Sequence, residues 1–312
     1  MTFHYLAFGL HLASDLEMPE LLPAVKEMPI DIEIREAELP REILDPAYQS
    51  DTQQIAPGIY QFLIPEVARY QVEAGQRILV DAAPNAHSGD VRLWILGTAL
   101  GGLLHQRGLL PLHVSALVHD GQAVAFCGDS GAGKSTLAAA LRRRGLTLLT
   151  DDVGLAVPES DQVTFYPGFP RIKLWRDALA HFDLDPDSLI RDLTRADKFH
   201  LTVDQGFDAC PHPLRRLYVL DRAEDDQTRI EPLFGHAAIR AISHNTYRPE
   251  LIRPLGMAAD HLRQCGRMAQ QIRVFRFVRP WQLARLDDSL DALLAHLDRQ
   301  DHDSPAIRTA HG

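Results

Sequence analysis

The chain has 312 residues, 46% hydrophobic and 24% charged, with 20 Gly and 20 Pro, enough for one large globular domain or two ordinary ones. A formal net charge of -10 argues against a nucleic-acid partner, which needs a cationic face to displace phosphate counterions. Three cysteines, Cys127, Cys210 and Cys265, are an odd count without metal-like spacing and exclude a disulfide framework.

The N-terminus MTFHYLAFGLHLASDLEMPE lacks the cationic start and long apolar stretch of a signal peptide. No stretch reaches the ~18 uncharged apolar residues of a membrane span. A soluble, cytoplasmic protein without a membrane partner is expected.

Residues 1–90 read as short strands in FHYLAFGLHLAS, IDIEIREA, IYQFLIPEVARYQVEAG and QRILVDAA, punctuated by Pro, Gly and Asp. They carry no catalytic constellation and form an expected β-rich N-terminal domain. The turn-rich Asn85–Val91 marks its boundary. VRLWILGTALGGLLHQRG, Val91–Gly108, has helical spacing and Gly108 as its stop. LPLHVSALVHDGQAVAFCG then predicts a hairpin across HDGQ, with Cys127 a small buried hydrophobe at the end of its second arm. KSTLAAALRRRG is a helix closed by Gly145, and its Arg142–Arg144 run reads as a solvated face. LTLLTDDVGLAV is a strand ending in two acids.

Further on, PGFPRIKLW is a loop and strand, PDSLIRDLTRADKFHL a polar helix and connector, and RRLYVLD a buried strand. GHAAIRAISHNTYR and LGMAADHLRQCGRMAQQI are helical, IRVFRFVRP is a strand, and WQLARLDDSLDALLAHLDRQ is a closing amphipathic helix. A catalytic domain over 91–300 is expected, with 301–312 as a flexible tail.

The chemistry concentrates in GDSGAGKST: Gly128, Asp129, Ser130, Gly131, Ala132, Gly133, Lys134, Ser135 and Thr136. Gly128, Gly133, Lys134 and Ser135 satisfy G-x-x-x-x-G-K-[ST] between an apolar strand and an Ala/Leu helix. The glycines let amide N–H groups curl toward phosphate oxygens, and the helix N-terminus adds positive potential. Lys134 can span the β- and γ-phosphates, and the Ser135 hydroxyl can ligate Mg²⁺.

Asp151 and Asp152 close the following strand, taken to run parallel beside the phosphate-loop strand. Adjacent strand residues point to opposite faces unless the backbone bends. One acid suits the metal side, and a second has room to accept a proton from an attacking hydroxyl. His113, fifteen residues before Gly128, reads on its own as a satisfied core histidine, as do His105 and His119.

His113, GDSGAGKS and LLTDD in this order resemble the catalytic domain of the HPr kinase/phosphorylase family. The resemblance is specific over about Leu110–Val157, with seventeen residues from Lys134 to Asp151. It implies an α/β fold: a P-loop catalytic domain with a mixed sheet behind the small β-rich N-terminal domain. It also implies ATP and Mg²⁺, and a serine acceptor on a peptide or small protein. By analogy Asp151 is the base, Asp152 joins Ser135 on the metal, and His113 belongs to the active site; the two Asp roles are open to exchange. Arg171 and Lys173 are candidates for neutralising the transferring phosphoryl group, and Lys198 is a weaker one. A homo-oligomer is implied by the family.

Two departures matter. Thr136 stands where the family carries Glu, and the later basic signature segment of that family has no counterpart, YPGFPRIKLW standing in its place. Together with the N-terminal strands, these features resemble a shorter group of HPr-kinase-like proteins. Some of that group accompany lasso-peptide genes and phosphorylate precursor peptides on serine. HPr kinase/phosphorylase proper, or a P-loop ATPase without phosphoacceptor, are the alternatives.

Overall fold

The computed structural model describes residues 1–191, 197–203 and 205–299. The expected tail, 301–312, lies outside the described residues, as do residues 192–196 of the expected polar helix.

The N-terminal stretch forms one nine-stranded mixed sheet running from Leu22–Pro23 at one edge to Tyr48–Gln49 at the other. Alternation sets its faces: in Ile32–Glu36, Ile32 and Ile34 are buried while Glu33 and Arg35 are only partly so. On the inner face Phe62 stacks between Tyr60 and Tyr70, with ring centroids 5.2 and 4.7 Å apart. The helical segment Ser88–Trp94, Ile95–Ala99 and Leu100–Gln106 packs against this sheet through Ile95, Leu96, Leu100, Leu103 and Leu104. Its middle part, Ile95–Ala99, is a wide π-turn.

The second sheet has the spatial order Leu110–Leu112, Gly154–Pro158, Val163–Tyr166, His212–Arg222, Gln122–Cys127, Ser115–His119, Thr147–Asp151, with Arg273–Arg279 and Arg229–Leu233 also attached. Gln122–Cys127 is the phosphate-loop strand. It runs parallel to His212–Arg222, which in turn runs parallel to Arg273–Arg279. The predicted hairpin is present, with His119 opposite Gln122. Asp120 and Gly121, at φ 47° and 71°, supply the two positive dihedrals that a tight two-residue hairpin turn requires.

Alternation along the phosphate-loop strand builds two cores. Phe126 faces Leu137, Leu141, Leu290 and Leu293, from helices Lys134–Arg143 and Leu286–Leu297. Ala125 and the fully buried Cys127 face Ile242, Cys265 and Met268, from helices Gly235–His244 and Ala258–Gln271. The architecture is therefore α/β, a mixed sheet between helical layers, preceded in the chain by the β-rich sheet. Burial pushes the Cys127 thiol up to about 12, leaving it an apolar packing group.

Two expectations need correction. Thr147–Asp151 is not the direct neighbour of the phosphate-loop strand; Ser115–His119 lies between, antiparallel to both. The hairpin arm is thus a spacer that carries its own polar residue, Ser115, between loop and acids. The segment read as a polar helix holds instead a short helical turn, Pro186–Ser188, and the strands Ile190–Arg191 and Lys198–Thr202. Those strands pair with Arg171–Trp175 in a small antiparallel sheet. Among the described residues, no helix is long and apolar enough to cross a membrane.

Candidate active site

A cavity of about 460 Å³ opens at the end of the phosphate-loop strand. Gly128, Asp129, Ser130, Gly131, Gly133, Lys134, Ser135 and Thr136 line it; Ala132 turns into the core instead. The Lys134 ammonium donates to the carbonyls of Gly128 at 2.7 Å and Asp129 at 3.2 Å, so it lies across its own loop. Burial lowers its pKa, opposed chiefly by the charge of Asp151.

Both acids reach the cavity because the strand ends between them. Asp151 is its last residue, while Asp152 adopts φ 89°, a left-handed conformation costly for a residue with a side chain. That turn defeats the alternation that would have sent the two carboxylates apart. They differ in what they touch. Asp151 is 3% exposed; one oxygen accepts from the Ser115 hydroxyl at 2.5 Å and the other from the Lys173 N–H at 2.8 Å. Asp152 pairs with the Lys173 ammonium at 2.6 Å and lies 3.4 Å from His113 Nδ1. Burial alone would raise the Asp152 carboxyl, but Lys173, His113 and Lys198 outweigh it and hold the group well below the usual carboxylate range.

His113 Nδ1 donates to the Asp152 carbonyl at 2.9 Å, and its ring lies 5.9 Å from that of Tyr247. Burial, then the Lys134 charge, lowers its pKa, so the neutral imidazole dominates at pH 7. The other two histidines are elsewhere: His105 is buried on the Tyr247 carbonyl and His119 pairs with Asp298. Arg144 pairs with Asp287 and Asp291, which uses up part of the basic run.

The small sheet supplies Lys173, Trp175 and Lys198 to the cavity wall, with the Lys198 ammonium 5.7 Å from the Trp175 ring. Arg171 does not line it. That side chain is buried beside His200 and over the Phe169 ring.

The far wall was not anticipated. It comes from the helical segment at the π-turn and just before it (Leu93, Trp94, Gly97, Thr98) and from His244–Glu250, at and beyond the end of helix Gly235–His244. Asn245 Oδ1 accepts from the Gly128 N–H at 2.8 Å, and its carbonyl accepts from the His113 N–H at 2.8 Å. One residue thereby ties the loop and the histidine together. Arg248 donates to Thr98 Oγ1 at 2.6 Å, and burial pushes Tyr247 up to about 12.

The donor set suits Mg²⁺ held jointly with phosphate. Ser135, Asp151 and Asp152 offer hard oxygens, and among the described residues no cluster of three or more His, Cys, Asp or Glu forms an all-protein metal site.

No family model matches the chain, and no curated protein matches it. Among solved structures, it is similar to the Hpr(Ser) kinase/phosphatase from Coxiella burnetii, at 17% identity. The match covers 60% of this chain and 96% of that one, with a TM-score of 0.33.

Proposed function

We propose that the protein is an ATP- and Mg²⁺-dependent kinase that transfers the γ-phosphoryl group to a serine hydroxyl of a peptide or small protein. One observation carries this reading: the loop residues Gly128–Gly131 and Gly133–Ser135, the acid pair and His113 line a single cavity, with Lys173 bridging both acids. Bound Mg²⁺ would neutralise charge on the phosphates. Lys134 and the loop amides would hold the triphosphate, and Ser135 and Asp151 would supply oxygen ligands to the ion.

Asp152 is the acceptor-side acid, the reverse of the assignment implied by family resemblance. Two contacts support the exchange. Asp151 weighs most on Lys134, at the loop, whereas Asp152 lies 3.4 Å from His113 and acts on Tyr247, at the wall away from the loop. In the transfer, the serine oxygen bonds to the γ-phosphorus and the bond to the β–γ bridging oxygen breaks; Asp152 takes the hydroxyl proton once Lys173, its partner at 2.6 Å, turns to the transferring phosphoryl group and no longer holds the carboxyl so acidic. ADP leaves. The acidic surface balance, -10 overall, favours neutral or basic acceptors over nucleic acid.

The two acids can be separated by substitution. Asp152→Asn should cut transfer by ~10²–10⁴-fold with little change in ATP affinity, the range expected for a general base. Asp151→Asn should raise the Mg²⁺ requirement as well. Equal metal dependence in the two variants, or loss of ATP binding in Asp152→Asn, would reverse the assignment.

A further inference from the structure

One buried charge near the site lacks an opposite. Arg279 ends the strand Arg273–Arg279 and is 3% exposed. Among the described residues no carboxylate pairs with it, and its buried Nε has no hydrogen-bond partner. The remaining nitrogens make two long bonds to carbonyls, Nη1 to Pro280 at 3.3 Å and Nη2 to Ala132 at 3.4 Å, and the Trp281 ring lies 5.7 Å from Cζ. Removing an ion from water is costly unless an opposite charge and full hydrogen bonding compensate, and a guanidinium does not escape by losing its proton. Five donors with two long bonds are far from full compensation.

Its place explains the retention. The guanidinium lies on the core side of Ala132–Gly133, the last turn of the phosphate loop before Lys134, and does not line the cavity. Gly133 adopts φ 83°, and a β-carbon there would collide with Arg279 Nη2. The motif glycine therefore serves twice: it allows the left-handed turn and leaves room for a cation behind it. From that position the charge adds to the loop amides and the N-terminus of helix Lys134–Arg143 across a water-poor path, where fields are little screened.

We propose that Arg279 is the hidden half of the phosphate site, an electrostatic positioning residue whose counter-ion is the polyphosphate bound on the opposite side of the loop. It raises affinity for the polyphosphate without touching it. The inference rests on the loop being a nucleotide phosphate site.

The test compares Arg279→Met, which keeps length and removes charge, with Arg279→Lys, which keeps charge. Unfolding temperature is measured without nucleotide, and binding of ATP, ADP and inorganic triphosphate is measured by calorimetry. The expected result is that Arg279→Met unfolds at the wild-type temperature or above it. It should bind ATP and triphosphate at least ~10-fold more weakly, with a smaller loss for ADP, as interaction energy scales with ligand charge. Arg279→Lys should keep most of the ATP affinity. Arg279→Met that unfolds early or fails to fold, or that loses all three ligands in equal proportion, would mark Arg279 as a structural peg and overturn the proposal. So would an Arg279→Lys variant as weak as Arg279→Met. Wild-type protein that binds neither ATP nor triphosphate would instead remove the phosphate-site reading itself.

Discussion

At the scale of single residues, the site is governed by how few groups each charge can rely on. Lys173 neutralises Asp152 with its ammonium and orients Asp151 with its backbone N–H, so one residue holds both acids. His113 is kept neutral by burial and by the Lys134 charge. This has a pH consequence with a definite sign. A histidine whose folded pKa is lowered resists protonation in the native state, so the unfolded chain binds more protons below its ordinary pKa of about 6.5. Native stability should therefore fall as pH drops from about 7 to 5. Burial also lowers His105 and His261, which add to that slope. The difference between wild type and His113→Gln isolates His113: the variant's thermal midpoint should fall less over this range. Equal slopes in the two proteins would mean that His113 titrates normally. The loop stood out by its motif and the acid pair by its place after the loop helix, whereas His113 stood out only through the family resemblance. The sequence ranked Arg171 beside Lys173 without a basis to separate them. Alternation puts both on one face of the strand, and only the folded sheet shows which end of it meets the cavity.

At the scale of elements, the loop strand and its helix were legible from a local pattern: an apolar run, a glycine motif, then Ala and Leu at helical spacing. The hairpin was legible from Asp120 and Gly121. The closing segment was not. GHAAIRAISHNTYR reads as one continuous helix, yet the helix stops at His244 and Asn245 caps it. Asn is a known helix-ending residue, a signal present in the sequence but weak beside the apolar spacing. Its second role, accepting from the Gly128 N–H, joins positions 117 apart and has no local signature. Asn245→Ala leaves a buried amide without its partner, a loss of about 1–3 kcal/mol. The same change should loosen the loop, raising KM for ATP more than it lowers kcat. A thermal midpoint and KM both at wild-type values would show that the Asn245 contact is dispensable.

At the scale of the whole molecule, the cavity is a joint product of both sheets. The loop, the acids and His113 come from the second sheet, while Leu93, Trp94, Gly97 and Thr98 come from a helix whose core lies under the first. The π-turn at Ile95–Ala99 fits this placement, since such wide turns recur where a helix meets a site. The N-terminal strands do not line this cavity. Their sheet packs against the helical segment that supplies Leu93, Trp94, Gly97 and Thr98 to the cavity wall. An ATPase would need only the loop half; a kinase needs the wall to exclude water and seat a hydroxyl.

The most direct measurement is the fate of the γ-phosphate. With labelled ATP and Mg²⁺, the protein is incubated with HPr and, separately, with a mixed library of serine-containing peptides, and products are read by mass spectrometry and phosphate release. The account predicts phosphoserine on an acceptor, slow release of free phosphate without one, and loss of both in Lys134→Ala. Rapid release of free phosphate at a rate indifferent to acceptors and to Asp152→Asn, with no phosphoserine formed, would contradict it.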